Sequence, residues 1–341
     1  MTLGDLKLSA EHLWLIVFGP GYGESILVVL PGSHWIAIDS LRCQDEDRDV
    51  NPALELLVAN EAHLSMVALT HPHNDHVQGL TDLLDRRLPD SPVGCVAPYL
   101  RRDGRWQIDP DASKVRDGGA ADTALNRIED IWAEEPKSEW PLLAGSTRSV
   151  EKAEVEVLFP DQIPPKKPRN PNLLSAPMML RWQSCHVLLG ADLLSTKWKT
   201  VERKYAKQSE LKLSHALKAS HHGSGRSQHH VAIGAPPPKN RVCLLTPFNR
   251  NSKLPDYGDG EGMDRLLECH ERVGVTSVPA KGRGKESHRV DLLPHHSGFG
   301  SIDLEHEDLS ASPREAWIAI GFDADGTEVA RHSGDAAGIV V

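Results

Sequence analysis

No stretch of this chain is apolar for long. The longest apolar run near the start, Leu13 to Phe18, falls far short of the roughly 20 residues a membrane span needs, and neither a basic flank nor a small-residue cleavage site adjoins it. The sequence therefore predicts no membrane segment and no export signal, and a cytoplasmic location is the expectation. Cysteine is scarce and scattered: Cys43, Cys95, Cys185, Cys243 and Cys269 form no close pair, and their total of five is odd. That argues against a disulfide frame or a thiolate zinc site and for reduced, buried thiols. No repeat of fixed period is present, so a solenoid is not expected.

What is there is the composition of a loop-rich globular protein. Apolar residues make up 39% and charged residues 25%, with 27 Gly and 24 Pro among 341 residues, which excludes a coiled coil, a collagen and a disordered chain. At about 100–200 residues per domain the length fits two domains or one large one. Formal charge is 38 minus 48, or −10, which disfavours a general nucleic-acid coat protein. The charge is uneven, however. From His295 to Val341 nine acidic residues face two basic ones, a net −7, so the first 294 residues carry only −3. A polyanionic substrate is not excluded.

Leu13 to Phe18, Ile26 to Leu30 and Trp35 to Asp39 read as an opening β-meander, with the Gly-rich turn Gly19-Pro20-Gly21-Tyr22-Gly23-Glu24-Ser25 between its first two strands. Helical spacing follows over Pro52 to Asn60 and Val77 to Arg87, with the apolar run Met66 to Thr70 between them. Val93 to Ala97 is a further strand. Residues 100–150 read as an insertion or lid: Tyr99 to Gly119 is polar and turn-rich, and Ala121 to Glu135 is helical. Strands are expected at Val155 to Phe159, Met178 to Trp182, His186 to Gly190, His215 to Ser220, Arg241 to Thr246 and Val275 to Pro279. Helices are expected at Thr196 to Gln208 and Gly262 to Val273, and Trp317 to His332 reads as a terminal hairpin. Two meander-plus-helix halves suggest two packed sheets with helices outside. The expected organisation is one domain over residues 1–290 and an acidic extension over 291–341 packed on it.

The densest chemistry is His71-Pro72-His73-Asn74-Asp75-His76, four metal-ligating side chains in six residues after an apolar strand. Imidazole and carboxylate hold zinc and similar divalent ions, and a tight loop between a strand end and a helix start can aim several of them into one pocket. Further along, Leu188-Leu189-Gly190-Ala191-Asp192 places an acid after an apolar strand, and Ala219-Ser220-His221-His222-Gly223-Ser224 places histidines after another.

In that order these segments resemble the metallo-β-lactamase superfamily, and the Gly-Tyr-Gly-Glu-Ser-Ile and Ser-His-His-Gly-Ser turns resemble its ComEC-like branch, which contains the nuclease-like domain of DNA-uptake proteins and soluble relatives. The resemblance covers about residues 10 to 280. It implies an α/β fold, a four-layer αββα sandwich with inserted loops and a C-terminal β-hairpin. It also implies two divalent ions, zinc or manganese: His71 and His73 on the first, with Asn172 as a weak ligand; Asp75, His76 and His221 on the second; and Asp192 bridging. The departure is that no histidine lies between His76 and His186, so Asn172 stands where many relatives have a third imidazole. An amide oxygen donates less charge, so one site should bind weakly and tolerate harder ions. Asp39, at the end of a strand, is expected to hold a ligand in place through hydrogen bonds.

The resemblance implies metal-assisted hydrolysis with Asp75 and His222 as catalytic residues; His222 either donates to the leaving oxygen, binds phosphate or is simply a core residue supporting the ligands, and the Gly223-Ser224 turn offers N–H groups to an anion. Lys166, Lys167 and Arg169 precede Asn172, Lys197, Lys199, Arg203, Lys204 and Lys207 follow Asp192, and Lys281, Arg283, Lys285 and Arg289 follow the last expected core strand. Lys197, Lys199 and Ser224 are the expected substrate contacts. A phosphodiesterase or nuclease acting on DNA or RNA is the leading expectation, with a regulatory protein partner and a role in defence against foreign DNA suggested by the soluble format. The alternatives are a hydrolase of a lactone, thioester or cyclic nucleotide, and a scaffold with a degraded metal site. His229, His230, His295 and His296 read as loop histidines without a role.

Overall fold

The computed structural model describes residues 3–45, 48–96, 119–162, 170–205, 211, 214–230, 241–250, 253–256, 262–270, 273–277, 279, 290–292 and 312–340. Its elements follow the apolar runs. Strands β1 (Leu13–Phe18), β2 (Ser25–Leu30) and β3 (His34–Ile38) form the opening meander, each antiparallel to the next. The small ribbon β4 (Cys43–Asp45) and β5 (Arg48–Val50) leads to α1 (Pro52–Ala59). Asn51 caps that helix by accepting the Leu54 N–H, and Pro52 begins it, where a missing N–H costs nothing.

Parallel crossovers come next: β6 (Leu64–Leu69), short helices α2 (Asn74–Val77) and α3 (Leu80–Leu84), β7 (Val93–Cys95), α4 (Gly119–Glu134) and β8 (Glu139–Pro141). The helix expected over Val77 to Arg87 is thus broken. Gly79 sits in the left-handed region, with φ 78°, and a Cβ there would come 2.6 Å from the Asn51 amide. The second half is β9 (Thr147–Val150), β10 (Ala153–Val157), β11 (Met178–Trp182), β12 (Cys185–Leu189), α5 (Ser195–Tyr205), β13 (Ala216–Lys218), β14 (Val242–Leu245), α6 (Met263–Cys269) and β15 (Val273–Val275). The chain closes with β16 (Val290–Leu292), the hairpin β17 (Trp317–Phe322) and β18 (Glu328–Ser333), and β19 (Gly338–Val340).

These strands build two large mixed sheets. One has the order β18-β17-β1-β2-β3-β6-β7-β8, the other β16-β19-β15-β14-β13-β12-β11-β10-β9. Every residue of β1, β2 and β17 is buried, so those strands are covered on both faces, which a sheet with water on one side does not allow. One hydrophobic cluster includes side chains from both sheets and from each of the six α-helices among the described residues, α2 contributing only Val77. The helices close the parallel crossovers: α1 links β3 to β6, α4 links β7 to β8, α5 links β12 to β13 and α6 links β14 to β15. The architecture is the expected αββα sandwich. Toward one edge the second sheet shows period-2 alternation, Ala153, Val155 and Val157 buried and Glu154 and Glu156 outward.

Of residues 100–150, expected as an insertion or lid, 100–118 lie outside the described residues and the rest belong to the core fold. Trp140 on β8 and Ile128 and Ile131 on α4 are fully buried, because the crossover from β7 to β8 needs a helix to cover it. The C-terminal strands are also integral: β17 pairs with β1, and β19 pairs with β15. Among the described residues no helix is long and apolar enough to cross a membrane.

Candidate metal centre

The site forms where strand ends from the two sheets meet. Parallel pairing of Ile38 with Ala68 brings the end of β3 beside the end of β6. Asp39 turns there with φ 58°, and its buried carboxylate accepts the Thr70 N–H at 2.7 Å, the Thr70 hydroxyl at 2.7 Å and His76 Nδ1 at 2.8 Å. A carboxylate only accepts, so His76 Nδ1 carries the proton and Nε2 presents its lone pair inward. The same reasoning orients two more rings. Thr70 gives its proton to Asp39, so it accepts from His71 Nδ1 at 3.0 Å. His222 Nδ1 donates to the Thr246 carbonyl at 2.9 Å. His71, His76 and His222 therefore all face the centre through Nε2.

Asp192 comes from the turn after β12. Gly190 is required there because a Cβ would run into the Ser220 hydroxyl and the Lys218 carbonyl. The Asp192 N–H donates to the Ser175 hydroxyl at 2.8 Å, which fixes the carboxylate between two groups of ligands. Asp192 Oδ2 lies 3.7 Å from His71 Nε2 and Oδ1 lies 3.5 Å from His76 Nε2. His71 Nε2 and His73 Nδ1 are 3.0 Å apart, close to the roughly 3.3 Å expected of two ligands on one tetrahedral zinc with bonds of about 2.0–2.1 Å. His71, His73 and Asp192 form one converging set, and Asp75, His76, Asp192 and His222 form the other.

The roles expected of the two adjacent histidines are corrected here. His221 and His222 occupy consecutive left-handed conformations, φ 49° and 52°, a backbone that costs about 1–3 kcal/mol per residue and clusters at functional sites. That twist sends His222 Nε2 to Asp75 Oδ2 at 3.1 Å, so His222 and not His221 completes the Asp75–His76 set. It also leaves His222 buried with both ring nitrogens engaged, which does not suit it to meet a leaving group. His221 turns toward the other oxygen of Asp192, at 3.7 Å, and toward the Asn172 amide, at 3.2 Å, with its Nδ1 on the Ser227 hydroxyl at 3.0 Å. Asn172, expected as a weak ligand with His71 and His73, has its amide nitrogen against His221.

Ser224 is a second correction. It is buried, its N–H donates to the His221 carbonyl and its hydroxyl faces Asp256 Oδ2 at 3.5 Å. The next amide, Gly225, also donates to Asp256, at 3.0 Å. The turn is satisfied internally and offers no amide of Ser224 or Gly225 to a bound anion. Lys197 lies 6.0 Å over the Phe159 ring, and Lys199, two residues further along α5, is exposed. Lys166, Lys167, Arg169, Lys207, Lys281, Arg283, Lys285, Arg289, His295 and His296 lie outside the described residues.

The electrostatics favour bound cations. Burial pushes the His71 imidazole well below its usual pKa, and it lowers His73 as well. Burial opposes the charge on His76 too, yet Asp192, Asp75 and Asp39 hold that ring well above its ordinary value. Burial likewise favours the neutral forms of Asp75 and Asp192; the facing histidines, His76 for Asp75 and His221 for Asp192 foremost, hold both carboxyls below the usual range. Buried His76 Nε2, Asp192 Oδ1 and Asn172 Oδ1 have no hydrogen-bond partner among the described residues. Such atoms normally pair or coordinate a metal, so the donor set fits divalent ions held by His71, His73, Asp75, His76, Asp192 and His222.

Several residues that shape this centre carry no motif. Thr70, Ser227, Thr246 and Lys218 act only because separate strands bring them together, and a polar residue at the end of an apolar strand, as at Thr70, is the single signal that marks any of these four; Glu24 lies in the Gly-Tyr-Gly-Glu-Ser-Ile turn and Ser175 just after Asn172, segments the sequence singles out without giving either residue a role.

No family model matches the chain. A segment of 50 residues is 46% identical to a hydroxyacylglutathione hydrolase of Vibrio campbellii, covering 15% of this chain and 19% of that protein. The chain thus spans about a fifth of the curated relative it matches. Among solved structures it is similar to a metallo-β-lactamase of Cronobacter sakazakii, at 14% identity and TM-score 0.33 over 57% of this chain and 71% of that one. It is also similar to CmlA, a diiron β-hydroxylase of Streptomyces venezuelae, at 13% identity and TM-score 0.39 over 65% of this chain and 37% of that one.

Proposed function

We propose that this chain is a metal-dependent hydrolase that cleaves phosphodiesters, with nucleic acid as its substrate. The observation that carries the hydrolytic reading is Asp192, whose two oxygens face His71 at 3.7 Å and His76 at 3.5 Å, so that one carboxylate spans two ligand sets. Divalent ions in those sets would supply a water acidified to near neutrality, about pKa 7, and Lewis acidity toward a phosphoryl or carbonyl oxygen. Asp75 is the proton acceptor in this reading. Its side chain is 18% exposed against 2% for Asp192, so it is the carboxylate that an entering water meets, and its lowered pKa leaves it ionised at neutral pH.

The nucleic-acid assignment rests on what borders the site. The Glu24 N–H donates to the Asp75 carbonyl at 2.9 Å, holding the Tyr22 turn against the ligand loop. A cavity of about 680 Å³ opens beside it, lined by Tyr22, Arg42, Gln78 and Arg250 among others. The Arg250 guanidinium stacks 4.8 Å from the Tyr22 ring and has no carboxylate partner among the described residues. An aromatic face with a neighbouring guanidinium suits a base and its phosphate.

A thioester or other small ester is the second reading. The short match to a hydroxyacylglutathione hydrolase favours it, as does Arg42, already held by Asp82 at 2.5 Å and Asp49 at 3.1 Å, which leaves the cavity modest positive charge. Incubating purified protein and Mn²⁺ or Zn²⁺ with single-stranded DNA, RNA and S-acylglutathione separates the readings. Nucleic-acid cleavage abolished in His73→Ala and Asp192→Ala is expected; thioester turnover alone selects the second reading, and absence of both with no bound metal leaves a scaffold.

A further inference from the structure

Away from this centre, a second cluster of ligating side chains forms between α5 and the segment that follows the His221-His222 turn. Glu202 projects from α5, and His229 and His230 follow Ser227 closely in the chain. His230 Nε2 lies 2.9 Å from Glu202 Oε1, and His229 Nε2 lies 3.8 Å from Glu202 Oε2, with the two rings 4.2 Å apart. Both imidazoles therefore turn the same nitrogen toward one carboxylate, each toward a different oxygen. The two nitrogen–oxygen distances bracket the roughly 3.3 Å that separates ligands on a tetrahedral ion with bonds of about 2.0–2.1 Å.

We propose that Glu202, His229 and His230 form a peripheral Zn²⁺ site, distinct from the hydrolytic centre, that fastens α5 to the segment carrying Ser227. A plain surface ion pair would need only His230, which is 51% exposed at its side chain; the 6% exposed ring of His229 aimed at the other oxygen is what a chelate requires. Two imidazoles and a carboxylate select zinc over magnesium or calcium, which take oxygen ligands.

The consequence reaches the hydrolytic centre through Ser227, which accepts from or donates to His221 Nδ1 at 3.0 Å. Zinc between α5 and residues 229–230 shortens the free run of chain behind that serine. The site does not depend on the nature of the substrate.

The test titrates Zn²⁺ alone into the full chain after chelation, by calorimetry and competition with a chromophoric chelator, for wild type, Glu202→Gln and the solvent-facing His230→Ala. Wild type should bind one equivalent more than either variant, while Mn²⁺-supported hydrolysis by the variants stays at the wild-type rate. Circular dichroism shows that the variants are folded, and X-ray absorption of wild type loaded with that last equivalent should report two imidazoles. Equal stoichiometry and affinity in all three proteins would overturn the site. So would a peripheral equivalent that survives His230→Ala and disappears only with His71→Ala.

Discussion

The Lys218 ammonium lies 2.6 Å from Glu24 Oε2, and both residues are fully buried. The pair fastens the turn after β1 in one sheet to the end of β13 in the other. It also backs the metal centre, because Thr246, the carbonyl partner of His222, gives its hydroxyl proton to the same Glu24 oxygen at 2.6 Å. Lys218 Nζ further donates to the Ala219 carbonyl at 2.9 Å.

Removing one partner of this pair should cost more than removing both. A buried charge left alone destabilises by about 3–5 kcal/mol, whereas an apolar replacement of the whole pair is often nearly neutral. Lys218→Met and Glu24→Gln are each expected to lower the denaturation midpoint strongly, and the double variant to recover part of the loss. Urea unfolding of the four proteins measures the coupling; strictly additive losses would show that the two side chains do not act as a pair.

Acid sensitivity should have a traceable component at Glu135. Arg87 binds its carboxylate with two hydrogen bonds, 2.8 and 2.6 Å, and the Asp90 N–H adds a third at 2.8 Å. Arg87 first, then that amide, lowers its pKa from 4.5 to about 2. A carboxyl with a lower pKa folded than unfolded adds stability above the unfolded value and loses it as pH falls toward the folded one. Stability measured from pH 5 down to 2 should therefore fall less steeply in Glu135→Gln than in wild type; parallel curves would refute the assignment.

Legibility in the sequence tracked how local the cause was. His71 to His76 and the Gly190-Ala191-Asp192 turn could be read because each is a ligand group held by one strand end, with chemistry and geometry in the same few residues. The two-sheet sandwich was readable for the same reason, since runs such as Leu13 to Phe18 are buried on both faces wherever they pair. The assignment of His221 and His222 failed locally: two consecutive left-handed residues decide which ring faces Asp75, and no spacing rule encodes that rotation. Gly79 breaks an otherwise periodic helix by adopting a left-handed backbone, and the close approach of Asn51 and Arg42 that keeps it glycine comes from residues distant in sequence. Lys218 and Thr246 are unremarkable in their own segments, Glu24 is marked only as part of its Gly-rich turn, and the three meet only across the sheets.

Asp39 offers a test of the metal centre that leaves every ligand in place. Its carboxylate fixes the proton of His76 on Nδ1 at 2.8 Å, and loss of such a partner typically costs 10–100-fold in metal affinity or activity. Asp39→Asn should weaken metal binding by about that factor, with activity recovered at high metal concentration. Asp192→Ala should not recover, because it removes the carboxylate both ligand sets share. Metal titrations of the two variants, followed by activity, distinguish them; an Asp39→Asn protein with wild-type affinity would mean that Asp39 serves the fold alone.

Substrate size should separate the cavity from the chemistry. Tyr22 and Arg250 line the cavity beside the ligand loop, so Tyr22→Ala and Arg250→Ala should raise KM for single-stranded oligonucleotides while leaving kcat for a small phosphodiester such as bis(p-nitrophenyl) phosphate near wild type. A stacked base contributes about 1–3 kcal/mol, which corresponds to a rise in KM of about 5- to 150-fold for Tyr22→Ala. Arg250→Ala should instead flatten the dependence of oligonucleotide KM on salt, since one phosphate contact is lost. If both variants lower turnover of the small ester as much as that of the oligonucleotide, the Tyr22 turn supports the Asp75 loop, through the Glu24 N–H, and does not bind substrate.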